Sequence, residues 1–132
     1  MDLSGKRVLV TGGGSGLGRV LAEDFAAAGG DVHICGRRPE PLQAVTDAAD
    51  GITAHILDVT NEEATDVMFE SIGHADIIIA NAGIAESAPL HRTSTEMWHR
   101  IMAVNLTGCF LTFRAGLQQL RNTKCSWGRL IA

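Results

Sequence analysis

Tyrosine is absent from this 132-residue chain, and lysine occurs only as Lys6 and Lys124. A proton donor built from a phenol is therefore not encoded in these residues. Long apolar runs are also missing, since none approaches the ~20 residues that a membrane helix needs. The opening MDLSGKRVLVTGG has no charged head followed by a long apolar core and a cleavage site, so it does not read as a signal peptide. The expected location is the cytoplasm. Neither charge sign dominates: the net charge is −4, which gives no support for nucleic-acid or anionic-membrane partners. The cysteines, Cys35, Cys109 and Cys125, form no CxxC pair and read as small buried hydrophobes or free thiols in a reducing compartment. The five histidines, His33, His55, His74, His91 and His99, show no HxxxH or HExxH spacing, so no metal is expected.

What is abundant is apolar sequence, at 45%, and glycine, at 15 residues. The apolar segments alternate between strand and helix patterns. Arg7–Val10 is a short apolar run bounded by turn residues and reads as a buried strand. From Gly16 to Ala28 the apolar residues recur at helical period and stop at Gly29-Gly30. Asp31–Cys35 is a second strand, and Pro39–Ala49 a second helix with proline suitably at its start. Ile52–Leu57 is the third strand; in the third helix, Asn61–Ile72, Asn61 can cap and Glu62-Glu63 suit the positive end of the dipole. Asp76–Ala80 is the fourth strand. After a loop with Pro89, Thr93-Ser-Thr-Glu96 offers a capping box for one long helix running to about Asn122. Four strands that read as apolar on both faces, alternating with helices, predict a doubly wound parallel sheet in the α/β class.

The first turn, Thr11-Gly-Gly-Gly-Ser-Gly-Leu-Gly18, lies between strand one and helix one. A glycine-rich turn feeding a helix N-terminus presents backbone N–H groups and the helix dipole to an anion. Gly12 allows the tight turn, Gly16 lets the backbone approach a pyrophosphate, and Gly18 lets the helix pack closely. Arg19-Val20 after Gly18 excludes a Walker loop, and the pattern fits TGxxxGxG rather than GxGxxG.

Three further motifs follow in order: Leu57-Asp-Val59, Asn81-Ala-Gly83 and Val104-Asn-Leu-Thr-Gly108. With the glycine loop they make the chain resemble the N-terminal half of a short-chain dehydrogenase/reductase, over all 132 residues. The resemblance implies a Rossmann-like sheet forming one dinucleotide-binding domain, residues 1–132. It implies a pyrophosphate loop at Gly12, Gly16 and Gly18, with Thr11, Ser15 and Leu17 also among the cofactor-binding residues. Asp58 and Val59 correspond to the pair that holds the adenine ring, and Asn81, Ala82 and Gly83 to the segment lining the cofactor's ribose. Asn105 corresponds to a helical asparagine whose backbone helps hold a water in the proton relay. A homodimer or homotetramer through the 95–122 helix is implied as well, with a carbonyl or alcohol as substrate, a 3-oxoacyl thioester among the candidates.

An NAD site places an acid at the end of strand two. Here that end reads Cys35-Gly-Arg-Arg38, while Asp31 stands at the other end. A glycine in the acid's place leaves room for a phosphate, and two guanidinium groups supply bidentate donors for it. Arg37 and Arg38 therefore favour NADP(H) over NAD(H), with Arg37 first.

The family's catalytic Ser follows strand five, and its Tyr-x-x-x-Lys pair lies on the next helix. Neither Lys6 nor Lys124 matches that lysine by position, and Ser126 precedes strand five. The last residues, Ser126–Ala132, resemble the beginning of that strand. The expectation is a sheet truncated at the start of strand five, with strand four left close to an edge. A piece of a longer enzyme, inactive alone, is favoured over a natural dinucleotide-binding module without catalysis or a split protein completed by another chain. A terminus inside an apolar strand is the reason.

Overall fold

Strands β1 (Arg7–Thr11), β2 (Asp31–Gly36), β3 (Ile52–Ile56), β4 (Ile77–Ile79) and β5 (Arg129–Ile131) pair in parallel in the order β3-β2-β1-β4-β5. This is the arrangement in the computed structural model, which describes residues 2–123 and 127–132. Lys124, Cys125 and Ser126, which entered the reading above, lie outside the described residues. The chain moves from β1 to one side of the sheet for β2 and β3, then crosses to the other side for β4. The reversal between β1 and β4 is the topological switch point, where open α/β sheets bind ligands beyond the strands' carboxyl ends.

Each sheet face has its own core. Val8, Val10, Val32 and Ile34 point to one face, against helices α1 (Gly16–Ala27) and α2 (Pro39–Ala48), where Ala22, Leu42 and Val45 are buried. Leu9, Cys35 and Ile78 point to the other, against α3 (Glu62–Ile72) and α5 (Cys109–Asn122), with Met68, Phe69 and Ala115. Phe69 is fully buried, and a buried side chain of this size contributes about 1.5–3 kcal/mol. The α5 helix passes the sheet at Gly116, where a Cβ would lie 2.2 Å from Ile78 Cδ1.

Helix ends follow local chemistry. Pro39 opens α2, and Asn61 caps α3 by accepting from the Ala64 N–H at 3.0 Å. Among the described residues no helix is long and apolar enough to cross a membrane.

Three expectations need correction. The single long helix is interrupted: α4 (Thr95–Met102) passes into a π-helical segment, Ala103–Gly108, before α5 begins. Its cap is Ser94, accepting from the Met97 N–H at 3.1 Å, so the capping box with Thr93 and Glu96 does not form. Thr93 directs its hydroxyl to the Pro89 and Ala88 carbonyls instead. The β3 strand is not buried on both faces: as the outermost strand it leaves Thr53, Ala54 and Ile56 exposed. As expected, β4 lies close to an edge, next to the outermost β5, which pairs with it over Ile77–Ile79.

Candidate functional site

Beyond the carboxyl ends of β1, β2 and β3, a cleft of about 250 Å³ opens between the glycine loop and the ends of the strands. Gly12, Gly14 and Ser15 form one wall. Gly36, Arg37 and Arg38 form the second, and Leu57, Asp58 and Val59 the third. Ala82, Gly83, Ile84 and Val104 close the far end.

The glycine loop owes its course to backbone contacts. Gly12 has a φ of +68°, and a Cβ there would lie 2.9 Å from Ala82 Cα. Its N–H donates to the Cys35 carbonyl at 2.8 Å, which fixes the loop over β2. Gly18 meets the loop again from within α1: a Cβ would stand 2.4 Å from the Gly12 carbonyl oxygen and 2.5 Å from Asn81 Nδ2. Gly16 has a φ of +54° with nothing within 4 Å of a Cβ, so the open side of the loop begins there. A side chain at that φ is strained even where space exists.

The N-terminus of α1 differs in charge from that of α3. Ser15 occupies the N-cap but makes no side-chain capping bond, and the first turn carries no acidic residue. In α3 the cap is satisfied by Asn61, and Glu62 and Glu63 stand in the first turn. An uncapped first turn without carboxylates leaves N–H donors and the positive dipole end to an anion.

Thr11 and Asn81 do not line the cleft; they hold its loops together. The Thr11 hydroxyl accepts from the Ala82 N–H at 3.0 Å. Asn81 Nδ2 donates to the Thr11 carbonyl at 3.0 Å and to the Gly12 carbonyl at 3.4 Å. Together these bonds tie the loop after β4 to the loop after β1, across the switch point. Gly16 and Leu17 lie exposed at the start of α1, outside the cleft lining, and Gly18 is buried beneath it.

Asp58 makes an Asx turn, its Oδ1 accepting from the Thr60 N–H at 2.9 Å and from the Thr60 hydroxyl at 2.7 Å. The Thr60 N–H bond, helped by the Thr60 hydroxyl and the Arg37 charge, holds the carboxyl below its ordinary range against partial burial. Asp58 is thus an anion at neutral pH within the electrostatic reach of Arg37. Arg38 is the N-cap of α2 and makes no capping bond with its side chain. Cys35 lies under the loop; burial pushes its thiol up to about 12, so it is an inert packing group.

Asn105 sits inside the π-helical segment. Its side chain exchanges two hydrogen bonds with the Ile84 backbone, accepting from the N–H at 2.8 Å and donating to the carbonyl at 2.9 Å. π-bulges arise frequently at functional sites because they break the regular i→i−4 ladder and free backbone groups. Within the same segment Val104 reaches the cleft, and a Cβ on Gly108 would stand 2.7 Å from Val59 Cγ2. One five-residue motif therefore serves three contacts.

Gly14, Pro41, Leu42 and Ile84 also line the cleft and were not singled out from the sequence. Pro41, the third residue of α2, and the apolar Leu42 beside it were a usable signal, because the start of α2 must abut the end of β2.

A family model described as short chain dehydrogenase matches residues 6–132. The 3beta-hydroxysteroid dehydrogenase 1 of Eggerthella lenta is 36% identical over 93% of this chain and 51% of that protein. The 3-oxoacyl-[acyl-carrier-protein] reductase FabG of Aquifex aeolicus is 36% identical over 99% of this chain and 56% of that protein. The NADP-dependent (R)-specific alcohol dehydrogenase of Lentilactobacillus kefiri is 32% identical over 91% and 50% respectively. The chain thus spans about half the length of the curated relatives it matches. Among solved structures, a short-chain type dehydrogenase/reductase from Mycobacterium marinum superposes with a TM-score of 0.92 at 32% identity, covering 97% of this chain and 55% of that one. With the fold, the glycine loop and the family model in agreement, the chain belongs to the short-chain dehydrogenase family.

Proposed function

We propose that residues 1–132 are the dinucleotide-binding part of an NADP(H)-preferring oxidoreductase that interconverts a secondary alcohol and a ketone. The observation that carries this reading is the cleft itself. An uncapped, acid-free helix N-terminus, two arginines and an anionic Asp58 converge at the switch point, each where one portion of an adenine dinucleotide would need it. A volume of about 250 Å³ is below the roughly 300–1,000 Å³ of whole ligand pockets and suits the ADP half.

In this reading Gly12, Ser15, Gly16 and Leu17 give backbone N–H groups to the pyrophosphate, while Thr11, Gly18 and Asn81 hold that loop in place. Arg37, with Arg38 beside it, takes the 2′-phosphate in the space that Gly36 leaves. Asp58 and Val59 hold the adenine edge, and Ala82 and Gly83 face the ribose. Asn105 keeps the loop at Ile84 fixed, and its own backbone lies in the π-helical segment, positioned to hold a water of a proton relay. A bound nicotinamide supplies the hydride chemistry. No tyrosine is present to donate the proton, so these residues alone bind and orient without turnover. Relatives named as a 3-oxoacyl reductase and an NADP-dependent alcohol dehydrogenase support the alcohol–ketone class and the cofactor preference.

The oligomer is proposed as a homodimer or homotetramer through α4 and α5. Trp98, Phe110 and Leu117 are exposed there, as is Leu106 in the π-helical segment between them, and Phe110 and Leu117 stand seven residues apart on one face. The test of the cofactor reading is calorimetry with adenosine 2′,5′-bisphosphate and with AMP. Tighter binding of the bisphosphate is expected; equal affinity would remove the arginines from the reading.

A further inference from the structure

On the sheet face away from α1 and α2, His33 of β2 and His55 of β3 form a pair that the cleft does not use. His33 Nδ1 and His55 Nε2 are 2.9 Å apart, and the rings stack with centroids at 5.2 Å. In the strand register His33 is opposite Thr53 and His55 opposite Cys35, so the two imidazoles meet diagonally across the β2–β3 seam. His33 is 9% exposed, and its other nitrogen, Nε2, is buried without a hydrogen-bond partner among the described residues. The nearest carboxylate oxygen, Asp31 Oδ1, lies 3.5 Å from it.

That carboxylate decides the tautomer. A lone pair on Nε2 facing an anion is repelled, whereas an N–H is attracted, so Nε2 carries the proton and Nδ1 is the acceptor. His55 Nε2–H is then the donor. A first added proton can settle on His55 Nδ1 and leave this bond intact. A second must go to His33 Nδ1, which removes the acceptor and sets two cations in contact.

We propose that the His33–His55 pair is an acid-sensitive clasp that holds β3 in register with β2 and so sets the wall of the cleft formed by Leu57, Asp58 and Val59. β3 is the outermost strand, tied on one side only, and the chain runs from it directly into that wall. The Leu57 N–H bonds to the Gly36 carbonyl at 2.9 Å, one step beyond the last paired residues. A loosened seam therefore parts the Arg37 wall from the Asp58 wall. The charged groups acting on the pair are Asp31 of β2, which favours protonation of His33, and Arg7 of β1, which opposes it. Arg7 is itself bonded to Asp31 at 2.7 Å. β3 contributes His55 alone, whose partner in register, Cys35, stays a neutral thiol. The residues of α1 and α2 that pack on the sheet lie on its other face.

Burial, foremost, lowers the proton affinity of both rings in the folded chain; the charge of His33 lowers His55 further, and Arg7 opposes a charge on His33 while Asp31 favours it. The unfolded chain therefore takes up protons first as pH falls below about 6.5, and the seam's stability is present above that value and lost on acidification.

Only the effect on the ligand rests on the cleft being a dinucleotide site; the clasp itself does not, and the experiment separates the two. Hydrogen exchange at the amides of 53–56, corrected for intrinsic rates, is followed from pH 7.5 to 5 in the wild-type chain and in His55→Gln. Protection at β3 is expected to fall about tenfold relative to β1 in the wild type, and this excess loss to disappear in the variant, whose neutral amide can turn its oxygen to a protonated His33 and adds no second cation. An undiminished loss in His55→Gln, or no β3-specific loss in the wild type, overturns the clasp. NMR titration of the wild-type imidazoles checks it without a variant. Two separated steps support the coupled pair, and both rings titrating together near the ordinary value of about 6.5 contradict it. If β3 loosens while affinity for adenosine 2′,5′-bisphosphate stays constant, the link from the clasp to that wall of the cleft fails; if the bisphosphate does not bind at any pH, the cleft reading fails.

Discussion

Asn105 and Ile84, 21 residues apart in the chain, exchange two hydrogen bonds at 2.8 and 2.9 Å. The bonds use both the oxygen and the nitrogen of the amide and pin the loop after β4 to the π-helical segment. Asn105 is exposed, so their loss should cost only about 1 kcal/mol, at the low end for two hydrogen bonds. Asn105→Ala is expected to lower the urea midpoint slightly while raising exchange at the Ile84 amide by about tenfold. A large stability loss without a change at Ile84 would mean that the side chain acts elsewhere.

Gly18→Ala places a methyl 2.4 Å from the Gly12 carbonyl oxygen, a backbone atom that cannot swing aside. A destabilisation of about 1–3 kcal/mol is expected by denaturant titration, with the glycine loop displaced. Gly16→Ala meets no such atom but carries a φ of +54°, so it should cost about 1 kcal/mol and affect ligand affinity more than stability.

Arg37→Ala removes the guanidinium nearest the proposed 2′-phosphate. A charge-assisted hydrogen bond is worth about 1.5–3 kcal/mol, so NADPH affinity should fall by roughly ten- to a hundredfold while NADH affinity changes little. Equal losses for both, measured by fluorescence titration, would place Arg37 at a part that the two share.

Asp76 couples acid stability to the amino ends of the strands. Burial pushes its carboxyl up, but the Arg7 N–H at 2.8 Å and the Lys6 ammonium at 3.3 Å prevail and hold it below its ordinary range. The folded value is thus lower than the unfolded one. The stability it contributes is present above the usual aspartate range and lost as pH falls from about 4 through the folded value. The urea midpoint of the wild type should decline there, and Asp76→Asn should decline less, from a lower starting point.

Much of this arrangement was legible in local sequence. Thr11–Gly18 lies between strand and helix where the spacing placed it, Asn61 caps α3, and Pro39 opens α2, because each depends on neighbours within a few residues. The misreadings concern tertiary decisions. Val104–Gly108 has ordinary helical composition, and its π turn exists alongside contacts that span the chain, Asn105 to Ile84 and Gly108 to Val59. Ile56 looked like core but is 70% exposed, since strand order, not composition, put β3 at the edge. The side chains of Thr11 and Asn81 bind the two loops to each other, a pairing of residues 70 apart that no local pattern encodes. Pro41 and Leu42 could be placed at the cleft only once α2 was seen to start against the end of β2.

The most direct test is a titration of this 132-residue chain with NADPH and with NADH, followed by the fluorescence of its two tryptophans or by calorimetry. Binding of both is expected, NADPH tighter by roughly tenfold or more, through the phosphate that Arg37 would hold. Absence of NADPH binding by the folded chain, or tighter binding of NADH, would contradict it.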